Sequence, residues 1–235
     1  QETGELIRAY HTGEADGRQA TAEADLVSQR IAEMLEAGSF VFAPDMLSLI
    51  HRALFQDLDA ETYRPGQFKT ERLVKQEDIL NGDSVLYADP AMIQTSLDYL
   101  FREEGRQSYG TTLSEADVAR LAQFIAFLWQ VHPFVEGNTR TVAVFSELYL
   151  GSLGFTVGNE PFQKHARYYR DALVRANYRN IPLGVEPDPT FLNEFIGCLI
   201  AGRPFPYRNR DMAAAELFRS KGLIPPQEES PRRLG

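Results

Sequence analysis

A nine-residue segment, from His132 to Arg140, combines the residue types that a site for phosphoryl or nucleotidyl transfer needs. A histidine side chain ordinarily titrates near neutral pH, which makes His132 a candidate general base. Glu136 offers the oxygen ligands that Mg²⁺ prefers, and Arg140 offers a planar cation that suits phosphate. Gly137 lies directly before a predicted helix, whose first N–H groups and dipole favour an anion. In this order, the residues indicate chemistry at a phosphate group.

Two predicted helices position these residues. Residues 121–131 are apolar on almost every side, which is typical of a helix in the middle of a domain. His132 follows this helix directly, and a second helix is predicted from Asn138 to Leu153, where Gly154 ends it. Taken separately, His-Pro-Phe could be an aromatic plug and Glu-Gly-Asn an ordinary turn. Their place between these two helices favours a site that holds a base beside a phosphate group.

Most of the remaining chain is also predicted to be helical. Apolar spacing predicts further helices at 21–37, after Pro44, 90–104, 162–178, 188–201 and 209–220. Thr112-Leu-Ser-Glu115 has the form of a capping box before the central helix. A structural role, rather than a part in the chemistry, is expected for Phe124, Phe127, Trp129 and His51.

Residues 72–88 are the one part of the sequence that looks like β-structure. Short apolar runs there flank the turn signal Asn81-Gly82, which indicates a hairpin. We therefore expect an all-α fold with one β-hairpin, formed by a single domain over residues 21–221. Residues 1–20 are predicted to be a loosely ordered lead-in, and residues 222–235 a mobile tail.

The composition argues against several classes of protein. The formal net charge of −9 argues against nucleic-acid binding, which usually needs a basic face. The single cysteine, Cys198, rules out a disulfide framework within the chain, and its apolar neighbours predict that it is buried. No apolar run reaches the roughly 18–20 residues of a membrane span, and no signal peptide is apparent. We therefore expect a cytoplasmic protein, or one delivered into a host cell.

The segment His132-Pro-Phe-Val-Glu-Gly-Asn-Thr-Arg140 resembles the motif His-x-Phe-x-[Asp/Glu]-Gly-Asn-x-Arg-x-x-Arg of the Fic/Doc family. The predicted hairpin at 72–88 stands where the family has its flap, and residues 168–177 resemble the helix that lines the family's nucleotide pocket. The resemblance covers residues from about 40 to 200. It implies a helical Fic domain and a protein adenylyltransferase, which transfers AMP from ATP to a Ser, Thr or Tyr hydroxyl of a target protein (AMPylation).

The resemblance also implies a role for each residue of the segment. His132 would be the general base, Phe134 would anchor the loop in the core, and Glu136 would hold Mg²⁺. Phosphate binding and stabilisation of the departing pyrophosphate would fall to Gly137, Asn138, Thr139 and Arg140. Farther along the chain, Tyr169 and Asn177 would contact adenine or ribose. The flap at 72–88 would bind the target protein as an added strand.

Two positions depart from the family pattern. Thr139 stands where many AMP-transferring members have glycine, and Ala143 stands where the second arginine is expected. In the family, that arginine usually contacts the γ-phosphate and pairs with a glutamate from an inhibitory helix. The nearest matches to that helix, Thr111–Glu115 and Thr156–Glu160, lack the residue that should follow the glutamate. Self-inhibition by this route is therefore not expected, and a separate antitoxin protein or a homo-oligomer could restrain the enzyme.

Other functions stay open at this stage. Within the same fold, the reaction could be transfer of another nucleotide or of phosphate, or removal of AMP from a target. A chain that kept the helices but lost catalysis would be a binding module, which Thr139 and Ala143 make conceivable. Because His132, Glu136 and Arg140 are all present, the sequence favours an active transferase.

Overall fold

The computed structural model describes residues 14–204 and 208–223, and in these residues the fold is all-α, as predicted. The helices are α1 (Glu14–Ala37), α2 (Asp45–Phe55), α3 (Ala60–Tyr63), α4 (Ile93–Glu104), α5 (Glu115–Val131), α6 (Asn138–Ser152), α7 (Glu160–Lys164), α8 (Ala166–Asn177), α9 (Thr190–Ala201) and α10 (Ala215–Arg219). Short 3-10 helices lie at Asp78–Leu80, Pro90–Met92, Ile181–Leu183 and Asn209–Met212. The same residues contain no β-strand, and their one isolated β-bridge joins Asn180 to Val185.

Several helix boundaries follow the local signals in the sequence. The helix α1 ends at Gly38, whose φ of 60° is the left-handed conformation of a helix cap. Its start, at Glu14, lies within the predicted lead-in; residues 1–13 and the tail from residue 224 lie outside the described part. Before α4, the Asp89 carboxylate accepts a hydrogen bond from the Ala91 N–H (3.0 Å), and Pro90 occupies the first position, as predicted.

Other boundaries differ from the prediction. The capping box of α5 is formed by Ser114 and Asp117, because the Asp117 N–H donates to Ser114 Oγ (3.2 Å) and the Ser114 N–H donates to the Asp117 carboxylate (3.0 Å). The capping box is therefore shifted from the predicted pair, Thr112 and Glu115. The predicted helix at 162–178 is divided into α7 and α8, since His165 has non-helical backbone angles (φ −119°, ψ 30°). Residues 209–220 divide in the same way, at Ala214 (φ −75°, ψ 87°).

The turn predicted at Asn81-Gly82 is formed. Asn81 and Gly82 both have left-handed backbones, with φ of 53° and 83°. At the base of the turn, the Glu77 N–H donates to the Asp83 carbonyl oxygen (3.0 Å). Between these residues the chain makes one turn of 3-10 helix, Asp78–Leu80. The Asn-Gly signal therefore identified the turn correctly.

The β-hairpin predicted around this turn is not formed, because the two arms do not make a ladder of backbone hydrogen bonds. One step from the turn, the Lys75 N–H donates to the Ser84 hydroxyl (3.1 Å), so a side chain occupies the place of a strand carbonyl. The arms still alternate between exposed and buried side chains. Val74 is 79% exposed beside Lys75 at 2%, and Leu86 is 85% exposed beside Val85 at 2%. The alternation that suggested strands is present, but the strand pairing is absent.

The chain divides into two compact units, and the first contains the segment from His132 to Arg140. It comprises the residues up to Leu73, Tyr87–Leu113 and Phe127–Asn159. Its helices α1, α2 and α6 pack on one another. Within α6, burial raises the pKa of Glu147 to about 7. The Glu104 carboxylate in this unit accepts hydrogen bonds from the hydroxyls of Tyr109 and Tyr149, both at 2.8 Å.

The second unit comprises Val74–Leu86, Ser114–Ala126 and the described residues from Glu160 onward. Within it, α8 packs against α7 and α9. Arg170 and Glu77 form an ion pair (3.0 Å) whose side chains are only 13% and 4% exposed. The single cysteine, Cys198, is buried in α9, as predicted. None of the helices in the described part of the chain is both long and apolar enough to span a membrane.

The helix α5 runs through both units and is buried on most sides, as predicted. Phe124 is 5% exposed and Trp129 is fully buried, which confirms that both are core residues. The same prediction is wrong for Phe127, which is 40% exposed. The C-terminal end of this buried helix therefore delivers His132 to the inside of the first unit.

Candidate active site

His132 follows α5 directly, and its buried ring packs against aromatic side chains. Its side chain is 1% exposed, and the ring of Tyr87 stacks on the imidazole, with centroids 3.9 Å apart. His132 Nδ1 lies 3.3 Å from the Trp129 carbonyl oxygen. A carbonyl can only accept, so Nδ1 carries a proton in this contact, and in the neutral ring the lone pair is then on Nε2. Nε2 is therefore the candidate base, and because His132 is only 1% exposed, the surrounding residues must move before a protein hydroxyl can reach it.

Lys69 donates hydrogen bonds to the backbone on both sides of His132. Its N–H donates to the Pro133 carbonyl oxygen (2.7 Å), and its ammonium donates to the Val131 carbonyl oxygen (3.4 Å). The side chain is 2% exposed, and its Nζ lies 5.7 Å from the centroid of the Tyr87 ring. A cation at a helix C-terminus is favoured by the unpaired carbonyls and by the helix dipole. No spacing in the sequence pointed to this lysine, because it approaches the segment only through the fold.

Phe134 anchors the loop in the core, as the resemblance implied. It is 1% exposed and stacks on the His51 imidazole, with centroids 3.9 Å apart and an interplanar angle of 12°. The centroid of the Phe68 ring lies 5.8 Å from that of Phe134, with the two rings tilted by 54°. The Asn138 side chain then closes the loop, since its amide donates to the Phe134 carbonyl oxygen (2.8 Å) and its Oδ1 accepts from the Phe134 N–H (3.0 Å). The loop is therefore held in one shape before any ligand binds.

Gly137 is required by both its conformation and its surroundings. Its φ is 79°, and a Cβ added to it would lie 2.5 Å from Cζ of Phe55. The helix α6 begins directly after it, and the first backbone bond back to this turn comes from the Thr141 N–H to the Gly137 carbonyl oxygen (3.0 Å). The start of α6 is therefore suited to bind an anion, and its contact with phosphate stays a prediction.

Arg140 lies against two aromatic rings. Its guanidinium carbon is 4.8 Å from the centroid of Phe55 and 5.9 Å from that of Tyr63. These rings stack on each other, with centroids 4.8 Å apart and planes within 8° of parallel. Among residues 14–204 and 208–223, no carboxylate forms an ion pair with Arg140. A guanidinium held by its face keeps its N–H edges available for phosphate oxygens.

Thr139 has a structural partner that a glycine could not supply. Its hydroxyl accepts a hydrogen bond from the indole N–H of Trp129 (3.0 Å), and this indole is fully buried. A buried indole N–H needs an acceptor, because leaving it unpaired is costly. The departure from the family pattern at Thr139 is thus explained by packing against α5. Ala143 provides no cation, so the chain lacks the second arginine of the motif.

We expect the Thr139→Val variant to lose about 1–3 kcal/mol of unfolding free energy, because it keeps the side-chain shape and leaves the Trp129 N–H unpaired. The measurement is denaturant unfolding followed by the fluorescence of Trp129, the one tryptophan in the sequence. Thr139→Ser keeps the hydroxyl and is the matched control, expected close to the parent protein. Equal stability of the two variants would contradict this role for the hydroxyl.

Glu136 is suited to contribute one ligand to Mg²⁺. Its side chain is 2% exposed, and it is the carboxylate within the loop. The described residues contain no group of three or more His, Cys, Asp or Glu side chains that could hold a metal ion. Mg²⁺ is commonly bound by one or two carboxylates together with substrate phosphates and water. Glu136 therefore fits Mg²⁺ only in combination with a phosphate-bearing ligand.

Tyr169 and Asn177, the predicted contacts of adenine or ribose, are on α8 in the second unit. Tyr169 is 1% exposed and packs against the rings of Phe162 and Phe195, with centroids 5.1 and 5.0 Å away. The Asn177 amide donates to the carbonyl oxygens of Ala126 and Leu173, both at 2.9 Å. Both side chains therefore have packing or hydrogen-bonding roles in α8. Their contact with a nucleotide stays a prediction.

Comparisons with known proteins identify the fold. The N-terminal Fic domain of the effector Bep8 from Bartonella sp. 1-1C has a TM-score of 0.58 and 17% identity, covering 87% of this chain and 91% of that one. BepC from Bartonella tribocorum, solved with bound AMPPNP, has a TM-score of 0.58 and 17% identity, with 78% and 87% covered. A Bartonella quintana Fic domain with bound ADP has a TM-score of 0.55 and 17% identity, with 80% and 87% covered. No curated protein sequence matches the chain.

The family comparison covers the candidate site. Residues 41–150 match the model of the Fic/DOC family. This range contains α2, α5, the loop from His132 to Gly137, and most of α6. The family match and the shared fold agree with the motif recognised in the sequence. Residues 41–150 of this chain are therefore similar in sequence to the Fic/DOC family, and the chain shares the fold of the Fic domains named above.

Proposed function

We propose that this protein transfers AMP from ATP to a Ser, Thr or Tyr hydroxyl of another protein, with Mg²⁺ bound at Glu136. The observation that carries the proposal is the preformed segment from His132 to Arg140. It places a histidine with its lone pair on Nε2 just before a helix start whose glycine cannot carry a side chain. The relatives solved with AMPPNP and ADP support a nucleotide as the co-substrate.

The reaction follows from the chemistry of these groups. The hydroxyl oxygen of the target attacks the α-phosphorus of ATP while its proton passes to Nε2 of His132. The bond from the α-phosphorus to the oxygen that bridges to the β-phosphate breaks, and pyrophosphate leaves with the electron pair. Arg140 and the N–H groups at the start of α6 stabilise the negative charge on the phosphates. When bound, Mg²⁺ neutralises further phosphate charge, with Glu136 as its protein ligand.

The target protein is proposed to dock on residues 72–88. Two features support this: buried and exposed side chains alternate along the arms, and the apolar side chains of Val74 and Leu86 are 79% and 85% exposed. An extended peptide beside such an arm can be held mainly through its backbone, which makes loose sequence demands on the target.

The setting of the enzyme is also a proposal. A buried Cys198 without a disulfide suits a reducing compartment such as the cytoplasm, of the producing cell or of a host. With the second arginine of the motif replaced by Ala143, restraint is proposed to come from a separate antitoxin protein or from a homo-oligomer.

The test compares ATP labelled at the α-phosphate with ATP labelled at the γ-phosphate. Incubated with Mg²⁺ and a cell lysate, the protein is expected to transfer the α-label, and not the γ-label, to a protein band. Transfer of the γ-label would assign phosphate transfer instead. If no label from either nucleotide is transferred in several lysates, the chain is a binding module and the proposal is wrong.

A further inference from the structure

A second histidine, His51 on α2, contacts the candidate site from outside the motif. Its side chain is fully buried. Its Nε2 lies 2.9 Å from the Glu136 carbonyl oxygen, and its Nδ1 accepts a hydrogen bond from the Gly66 N–H (2.9 Å). The same ring stacks on Phe134. The side chain of His51 thus connects α2 and the turn at residues 64–67 with Phe134 and Glu136 of the loop.

These two hydrogen bonds define the protonation of the ring. A backbone N–H can only donate, so Nδ1 of His51 must present its lone pair to Gly66. A carbonyl can only accept, so Nε2 of His51 must carry the proton that points at Glu136. Both conditions are met by one tautomer, the neutral ring protonated at Nε2. His132, whose Nδ1 faces a carbonyl, has the opposite tautomer.

The bond to the Glu136 carbonyl orients the peptide that links Glu136 to Gly137. This peptide is trans, so its carbonyl and its N–H point in opposite directions. When His51 holds the carbonyl, it also fixes the direction of the Gly137 N–H, which points away from His51. The next residues form the start of α6. The Cα of Glu136, which carries the carboxylate side chain, and the N–H of Gly137 therefore lie in the one peptide plane that His51 holds.

We propose that His51 is a positioning residue for metal and phosphate binding, acting through the Glu136–Gly137 peptide. The part of this inference that concerns Mg²⁺ and ATP rests on the proposed function. Burial and stacking on Phe134 would be met by any flat apolar ring. The pair of hydrogen bonds, by contrast, needs an acceptor at the δ position and a donor at the ε position. A residue chosen only for packing would not need that arrangement.

Two substitutions separate the two hydrogen bonds. His51→Gln places an amide N–H near the position of Nε2 and keeps the donor to Glu136, while the acceptor for Gly66 is lost. His51→Asn places an amide oxygen near the position of Nδ1 and keeps the acceptor for Gly66, while the donor to Glu136 is lost. Both variants lose the imidazole ring that stacks on Phe134. The comparison between them therefore sets the loss of the Glu136 contact against the loss of the Gly66 contact, with the stacking ring lost in both.

The experiment measures the Mg²⁺ dependence of AMP transfer in the full chain. We expect His51→Asn to need about tenfold more Mg²⁺ for half-maximal rate than His51→Gln, the factor of one ordinary hydrogen bond. At saturating Mg²⁺ the two rates should agree within about threefold, because His51 does not contact the reacting atoms. The Gly137 amide resonance should also move further from its parent position in His51→Asn. Equal Mg²⁺ dependence, or equal Gly137 shifts, would overturn the inference.

A measurement on the parent protein keeps the inference testable if either variant fails to fold. The ¹⁵N shifts and couplings of the His51 ring are expected to show a proton on Nε2 and none on Nδ1. The other tautomer would overturn the inference. If the parent protein transfers no AMP, the proposed function fails, while the tautomer and the Gly137 shifts still decide whether His51 orients the loop.

Discussion

Replacing His132 by asparagine is expected to slow AMP transfer by about 10²–10⁴-fold, the usual contribution of a general base. Asparagine tolerates the left-handed backbone at this position, where φ is 50°. Its side-chain amide can still donate to the Trp129 carbonyl oxygen, but it has no basic nitrogen to take the place of Nε2. The main loss should therefore appear in the rate of transfer, with a smaller cost in stability from the lost ring contacts with Tyr87 and Trp129.

The measurement is the single-turnover rate of incorporation from α-labelled ATP, with ATP binding and thermal unfolding recorded alongside. His132→Ala is the companion variant: both variants remove the base and the ring contacts with Tyr87 and Trp129, but alanine also removes the donor to the Trp129 carbonyl oxygen. It is expected to be equally slow in transfer and less stable than His132→Asn. If His132→Asn binds ATP and transfers AMP at the parent rate, His132 is not the base.

Replacing Gly137 by alanine is expected to reduce transfer by at least about 10²-fold, the effect of misplacing reacting groups by about 1 Å. The added Cβ would lie 2.5 Å from Cζ of Phe55, which is closer than two non-bonded carbon atoms can approach. Either the Phe55 ring or the start of α6 must shift, and Arg140 rests on that same ring. Phosphate binding and the placement of the arginine would therefore suffer together.

The design separates the collision from backbone strain. Gly154, at the end of α6, has a similar φ of 93°, and a Cβ added there meets nothing within 4 Å. Gly154→Ala should thus cost stability through the backbone alone and leave transfer close to the parent rate. Adding Phe55→Leu to Gly137→Ala makes room for the methyl group and should recover part of the ATP affinity. If Gly154→Ala lowers transfer as much as Gly137→Ala, the crowding against Phe55 is not the cause.

Much of the fold could be predicted because its signals are local. The cap at Gly38, the Asp89-Pro90 start of α4 and the start of α6 at Asn138 depend on residues within one helical turn. The predicted hairpin failed for a reason that local patterns do not contain. Alternating burial and an Asn-Gly turn were both present, but a ladder also needs carbonyls opposite amides, and the Ser84 hydroxyl took that place.

The capping box of α5 shows a similar limit on a smaller scale. The sequence predicted a box of Thr112 with Glu115. The structure instead uses Ser114 with Asp117, in which each side chain bonds the backbone N–H of the other. Such a choice depends on where the chain enters the helix, which the preceding loop decides.

By itself, the sequence determined the residue types of the site and their order between two helices, and the resemblance attached the chemistry to them. The tertiary structure alone decided how those residues are held. Nδ1 of His132 faces the Trp129 carbonyl oxygen, Nε2 of His51 contacts the Glu136 carbonyl oxygen, and the Lys69 N–H donates to the Pro133 carbonyl oxygen. His51 and Lys69 lie more than sixty residues before the loop that they contact. Their roles arise from packing between distant segments, and no periodicity or spacing along one segment encodes such a contact.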